Sequence, residues 1–345
     1  MQYHQLGNSD LKVSRICLGT MTWGQQNSEA EAFAQLDMAW QRGVDFFDTA
    51  ELYPVPAYAK TQGATELILG RWLKARGVRQ RCVIGTKVVG PGDFVAHIRP
   101  DLSLNRSHIR RAIEGSLERL GTDYIDLYQL HWPDRATNFF GQLGYQHQPE
   151  KDGTPLLESL EALAELVNEG LVRHIGVSNE SAWGVMKCKQ LAEQHNLPVI
   201  ATVQNPYSLL NRSTEVGLAE VLQREQIDLL PYSPLGFGVL SGKYLGNQLP
   251  DGSRLKLFPI YSRYLTDAGV QATAEYVALA RANGLDPCQM ALAFVNSRGF
   301  VGSTIIGATT LEQLDTNLGS IEVTLEPELI EQINAIDARY RTPCP

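Results

Sequence analysis

Short, mainly apolar runs recur along the chain, each bounded by polar or glycine-containing stretches. They occupy residues 16–18, 44–47, 82–84, 125–130, 174–177, 199–203, 227–230 and 304–306. Continuous rather than alternating apolarity suits strands buried on both faces, as in a parallel sheet. Between these runs the apolar spacing switches to that of a single helix face. Ile109, Ile113, Leu117 and Leu120 share one face, with Gly121 placed to stop the helix; Leu156, Leu160, Leu163 and Leu166-Val167 repeat the pattern before Gly170. This alternation of strand and helix predicts an α/β fold, a (β/α)8 TIM barrel of parallel strands.

Three stretches break the rhythm. Residues 3–13 read as a hairpin that plugs the N-terminal end of the barrel. Long connections follow the fourth and seventh runs, from Trp132 to about Pro155 and from Tyr232 to about Leu265. Loops of that length within a compact domain are usually functional or disordered. Both leave from strand C-termini, where barrels of this kind keep their active sites. No linker, low-complexity segment or repeat beyond the alternation divides the chain, so residues 1–345 are expected to form one domain.

Composition narrows the function classes. Hydrophobic residues make up 43% of the chain, enough for a large core, and the formal net charge is −8 without a block of like charges. Nucleic acid and anionic membranes reward a basic footprint, so neither is expected as a partner. No obligate protein partner is evident. Five dispersed cysteines, odd in number and without CxxC spacing, read as reduced thiols of a cytoplasmic protein. No charged-then-apolar leader opens the chain, and no apolar run is long enough to span a bilayer.

Candidate chemistry gathers at the ends of the runs. In order these are Asp48, Lys87, His131, Ser178-Asn179, Gln204, Tyr232 and Gly307, and a parallel barrel brings them to one face. Taken alone, Asp48 is a capping residue, Tyr53 a half-buried aromatic, Lys87 a solvated charge and His131 a structural histidine. Taken together they offer a specific chemistry. A tyrosine serves as a general acid near neutral pH only if its pKa falls well below roughly 10, and the Lys87 ammonium would lower it. Asp48 would keep that lysine charged, and His131 would polarise a carbonyl, which places a proton donor beside an electrophilic C=O. No metal is expected, since His131 has no second histidine nearby at ligand spacing.

A second group lies on the last two connections. The glycine-rich stretch 236–243 follows the seventh run, and Thr310 opens a short helix after the eighth, with Gln313 placed to complete a capping box. These are the two places where such barrels often bind phosphate. Lys243 and Arg254 supply positive charge there. Trp23, Trp132, Phe139, Phe140, Tyr145 and Phe237 are candidates to line an apolar substrate pocket.

Several of these segments resemble the aldo-keto reductase superfamily. They are Asp48-Thr49-Ala50-Glu51-Leu52-Tyr53, Thr86-Lys87, and Ser116-Leu117-Glu118-Arg119-Leu120 running on to Asp123-Tyr124-Ile125-Asp126 and His131. Ile175-Gly176-Val177-Ser178-Asn179, Gln204-Asn205-Pro206-Tyr207 and Tyr232-Ser233-Pro234-Leu235-Gly236 follow in the same order. The resemblance spans essentially the whole chain. Gly19-Thr20-Met21-Thr22-Trp23-Gly24, Tyr53-Pro54-Val55-Pro56 and the 138–145 loop are similar to its bacterial Tas-type branch.

The resemblance implies an NADPH-dependent reductase of small aldehydes or ketones, with Tyr53 as proton donor assisted by Lys87, Asp48 and His131. It further implies that Ser178, Asn179 and Gln204 hydrogen-bond the nicotinamide carboxamide while Tyr232 stacks on the ring. The loop containing Ser233, Pro234, Leu235, Gly236, Gly238, Leu240 and Gly242 would wrap the pyrophosphate. Lys243, Arg254, Thr309, Gln313 and Asn317 would surround the adenosine end. Where many relatives place Lys and Arg after the eighth strand, this chain has Gly307 and Gln313, so charge for a 2′-phosphate must come chiefly from Lys243 and Arg254.

Two other functions compete. One is a nucleotide-binding partner protein with slow turnover, resembling voltage-gated potassium channel β-subunits. The other is a Schiff-base lyase using Lys87, which needs a depressed lysine pKa that Asp48 opposes.

Overall fold

The computed structural model describes residues 1–345. A two-stranded antiparallel hairpin, β1 (Tyr3–Gln5) and β2 (Lys12–Ser14), precedes eight parallel strands. These are β3 (Ile16–Gly19), β4 (Phe46–Asp48), β5 (Val83–Val88), β6 (Ile125–Leu130), β7 (Val172–Ser178), β8 (Thr202–Gln204), β9 (Asp228–Leu229) and β10 (Thr304–Ile306). They hydrogen-bond in the order β10-β3-β4-β5-β6-β7-β8-β9. The ring closes where the Ile305 amide donates to Pro231 O at 3.0 Å and the Gly302 amide to Leu229 O at 2.9 Å. This is the (β/α)8 architecture that the alternation predicts.

Strand and helix positions follow from burial and caps. Every residue of β4, β6, β8 and β10 is buried, which is why these strands carry no polar alternation. The helix Arg106–Leu120 begins on an Asn105 side chain that accepts from the His108 amide, and it ends at Gly121 with φ +62°. A left-handed terminus of that kind costs glycine nothing. Boundaries shift by a few residues from the apolar runs. The run 82–84 extends to Val88, which places Lys87 inside β5, while residues 44–45 and 199–201 precede their strands.

The hairpin seals the barrel from below. Leu6, Leu11 and Val13 pack with Cys17, Phe46, Leu127, Leu230 and Ile305 in one buried cluster. A side chain on Gly7 would begin 2.6 Å from Ala201 O and 2.7 Å from Gln226 O, just ahead of β8 and β9. The closed end leaves the opposite rim for chemistry.

The two long connections differ. Residues 132–155 contain one short turn, Pro149–Lys151, whereas 232–265 is largely built of short helical turns (Gly236–Ser241, Leu245–Asn247, Arg254–Leu257 and Pro259–Tyr264).

Candidate active site

Strand register sets the polar layer at the open end. Asp48 pairs with Gly85, Lys87 with Gln129, and Ser178 with Gln204 across adjacent strands. Lys87 has no solvent exposure; its ammonium donates to Asp48 Oδ2 at 2.6 Å and to Thr49 O at 2.7 Å. Asp48 Oδ1 accepts from Gln204 Nε2 at 2.9 Å. The same ammonium lies 4.8 Å from the centre of the Tyr53 ring. Tyr53 reaches this point from the loop after β4, and its ring stands edge-on to that of His131 with centres 5.7 Å apart. The four candidate catalytic residues, distant in sequence, therefore share one buried cluster.

Electrostatics assigns their protonation. Burial pushes the Tyr53 phenol up, and the Lys87 charge and hydrogen bonding that pull it down do not overcome this, so it rests above the ordinary phenol value. That corrects the expectation of a lowered pKa: the free site holds a proton-loaded phenol. Burial also works against the Lys87 ammonium, but the Asp48 carboxylate outweighs it and the net shift is upward. A lysine held charged does not suit Schiff-base chemistry. His131 is pushed well below the usual imidazole value, first by burial and then by the Lys87 charge. Its Nδ1 is sealed from solvent and has no partner. It is a neutral ring with one N–H to offer.

The residues expected at the nicotinamide are bonded to one another. Ser178 Oγ donates to Gln204 O at 2.7 Å, and Asn179 Nδ2 donates to His131 O at 2.8 Å and Ser178 Oγ at 3.1 Å. The Tyr232 hydroxyl donates to Asn179 Oδ1 at 2.7 Å. Asn179 holds φ +53°, a left-handed position that asparagine tolerates better than most residues. Its carboxamide is aimed across the rim by that turn.

Above this layer opens a cavity of about 980 Å³, lined by Asp48, Tyr53 and His131 at its floor. Ser178, Asn179, Gln204 and Tyr232 continue one wall, followed by Ser233, Pro234, Leu235 and Gly238. Lys243, Arg254, Gly307, Gln313 and Asn317 line it further out. Gly238 has φ +87°, and a side chain there would begin 3.0 Å from Lys243 Nζ, so only glycine leaves this loop free to approach a ligand.

Other expected residues lie elsewhere. Gly236, Leu240 and Gly242 support the loop from behind: Gly236 faces Tyr264, Leu240 is buried in the main core, and Gly242 faces Val277. Thr309 is turned to Gln313, whose Oε1 accepts from the Thr309 amide and hydroxyl at 3.0 and 3.1 Å. The capping box is thus displaced by one residue, with Thr310 Oγ1 still accepting from the Gln313 amide. Trp132 lines the cavity, but Trp23 does not. The Trp23 indole is fully buried and donates to Gln35 Oε1 at 2.9 Å, which makes it a core residue and corrects its placement in a substrate pocket.

Arg254 turns inward from the outer half. Its guanidinium sits 4.9 Å from the Phe237 ring and 5.0 Å from the Tyr261 ring, with Nε buried and unpartnered. Burial lowers its pKa, partly offset by Tyr261 and Tyr53. Sequence reasoning missed Met21, Tyr58, Phe94, Ile260, Tyr261, Arg263, Asp286, Cys288 and Glu312 among the residues that line the cavity. An available signal was the aromatic and basic stretch 258–264 inside the second long connection. The others carry no mark in the sequence.

The chain is similar to known proteins over most or all of its length. The family model described as Aldo/keto reductase family matches residues 15–338. Protein tas of Escherichia coli (strain K12) is 52% identical over 346 residues, covering 100% of both chains. The uncharacterized oxidoreductase YrpG of Bacillus subtilis (strain 168) is 34% identical over 341 residues, or 97% of this chain and 96% of its own. An aldo-keto reductase of Babesia bovis is 37% identical over 282 residues, or 76% of this chain and 98% of its own. With the match running through both the barrel strands and the residues at their open ends, the chain belongs to the aldo/keto reductase family.

Proposed function

We propose that this chain is an oxidoreductase, one 345-residue domain, that reduces the carbonyl group of small aldehydes or ketones with NADPH. The observation that carries the reading is the buried Lys87–Asp48 pair set against a protonated Tyr53 and a neutral His131 on the cavity floor.

The cavity fits a nicotinamide nucleotide in its donor set. Lys243 and the unpartnered Arg254 Nε offer positive charge along the outer half, Gly238 clears the loop, and a side chain at Gly307 would meet nothing within 4 Å. Asp286 and Glu312 line the same end and oppose a 2′-phosphate, so the preference over NADH is expected to be modest. When bound, the reduced nicotinamide supplies the hydride.

The chain's own residues supply the rest. His131 donates its N–H to the substrate carbonyl oxygen and orients it, as a neutral imidazole does at an electrophilic centre. Tyr53 gives its proton to that oxygen as negative charge develops there. Lys87 stabilises the phenolate left behind, and Asp48 holds Lys87 in place and charged. The buried Trp132 keeps water from that side of the floor, with the exposed Phe94 ring 5.4 Å from it.

No helix of the chain is long and apolar enough to cross a membrane. All five cysteines are free thiols, which supports a cytoplasmic setting. The test is Tyr53→Phe with an aldehyde panel. Turnover should fall by about 10²- to 10⁴-fold while NADPH binding, followed by fluorescence titration, is retained. Near-normal turnover in that variant removes the mechanism.

A further inference from the structure

Arg254 and Arg263 line the cavity without a carboxylate partner, and the Nε of each is sealed and unsatisfied. Among other arginines buried to a comparable degree, Arg99 sits on Glu51 and Arg135 on Glu180, while Arg15 is held by the backbone carbonyls of Val301, Gly302 and Asn296. A largely desolvated guanidinium left unpaired is costly, so its retention needs a reason. Arg254 has one along the phosphate groove. Arg263 faces the phenols of Tyr264 and Tyr232 and no carboxylate side chain.

Arg263 stands on the inner wall. Its Nη2 donates to the Tyr264 hydroxyl at 2.8 Å, and the guanidinium lies 4.8 Å from the Tyr264 ring and 5.6 Å from that of Phe237. Its Cδ and Nη1 are 3.6 and 3.7 Å from the point where a side chain on Gly141 would begin. Gly141 follows Phe140, whose ring centre is 5.7 Å from that of Trp132; Trp132 in turn is 5.0 Å from His131. These contacts run continuously from the carbonyl-polarising imidazole to the guanidinium. They place Arg263 on the Trp132–Phe140 side of the cavity, with the Phe237 ring between it and Arg254. Asp48, the carboxylate at this end of the cavity, is taken by Lys87. Pro345 O also approaches the Gly141 position, at 3.0 Å.

We infer that Arg263 recognises a carboxylate on the carbonyl substrate, so that the favoured substrates are oxo-acids whose two groups are joined by an apolar spacer. The spacer would lie along Trp132 and Phe140, and the planar guanidinium would hold the carboxylate through paired N–H donors. This deepens the reductase reading and rests on it for the identity of the reacting group.

The experiment uses the full chain with NADPH and two probes of like shape, 4-carboxybenzaldehyde and its methyl ester. Wild type should prefer the acid. Arg263→Met should lose roughly 10- to 100-fold in kcat/KM on the acid, mainly through KM, and leave the ester and the NADPH dissociation constant unchanged. Arg263→Lys should recover part of the loss, keeping the charge without the planar fork. Equal losses on both aldehydes, or weakened NADPH binding, would overturn the inference in favour of a structural or nucleotide role. Should wild type reduce neither aldehyde, the reductase reading fails by itself. Calorimetric binding of terephthalate to the NADPH-bound chain then decides on Arg263: weaker binding to Arg263→Met supports the assignment and equal binding overturns it.

Discussion

Lys87→Met removes an ammonium that is shut off from solvent and leaves the Asp48 carboxylate with only the Gln204 and Gln129 amides as donors. Breaking a buried ion pair from one side costs about 3–5 kcal/mol. At about 2.1 cal/mol/K of unfolding entropy per residue, a chain of 345 residues carries roughly 0.7 kcal/mol/K in all. The melting temperature should therefore fall by about 4–7 °C. Asp48→Asn should destabilise in the same way, by stranding the ammonium. The double variant removes both ions together with both desolvation costs, so its stability should exceed the additive expectation by about 2 kcal/mol. Turnover behaves differently. Each of the three variants lacks the charge, or its anchor, beside Tyr53, and each should stay below wild type by about 10²-fold or more. Scanning calorimetry under reducing conditions and steady-state NADPH oxidation read the two effects separately. A double variant that falls by the sum of the singles would show the pair to be uncoupled. One that regains turnover along with stability would refute the catalytic role.

Three further expectations concern pH and the groove. His131 is depressed in the folded chain, so its contribution to stability is complete above the unfolded value of about 6.5 and is lost as pH falls through it. His131→Asn should accordingly show a shallower acid decline in melting temperature, and an identical slope would mean that the imidazole is not desolvated. Because Tyr53 rests above the ordinary phenol value, kcat/KM for reduction should not fall with rising pH until beyond roughly pH 10; a decline centred near neutrality contradicts the assignment. Gly238→Val imposes a strained φ of +87° and crowds the Lys243 ammonium, and should weaken NADPH binding by about 10-fold, whereas an unchanged titration would take the loop out of the nucleotide site.

Much of the fold was legible because burial on both faces writes itself as short runs rich in apolar residues. Residues 125–130 and 304–306 are strands over the same span in sequence and structure, since their apolar residues outweigh the buried Asp126, Gln129 and Thr304 among them. Lys87 was readable as a strand end but not as a strand interior, because a lysine inside β5 is tolerated only through Asp48, a partner 39 positions away. Long-range pairing of this kind leaves no local pattern. Trp23 misled for the opposite reason: an aromatic between Thr22 and Gly24 resembles a pocket wall, yet the chain doubles back from Trp23 to Asn27 and drives the indole into the core. The sign of the Tyr53 shift was likewise hidden, since it depends on how little water reaches the hydroxyl and not on which charges stand nearby.

The mutual ties among Ser178, Asn179, Gln204 and Tyr232 have a practical consequence for anyone probing this rim. The free protein keeps its receptor groups occupied with each other, so a guest is received by exchange and not by filling vacancies. Truncating Asn179 would at once orphan the Tyr232 hydroxyl and the His131 carbonyl. Alanine scanning here would report slackened neighbours as readily as lost recognition, and the informative probes are those that alter the guest while leaving the host intact.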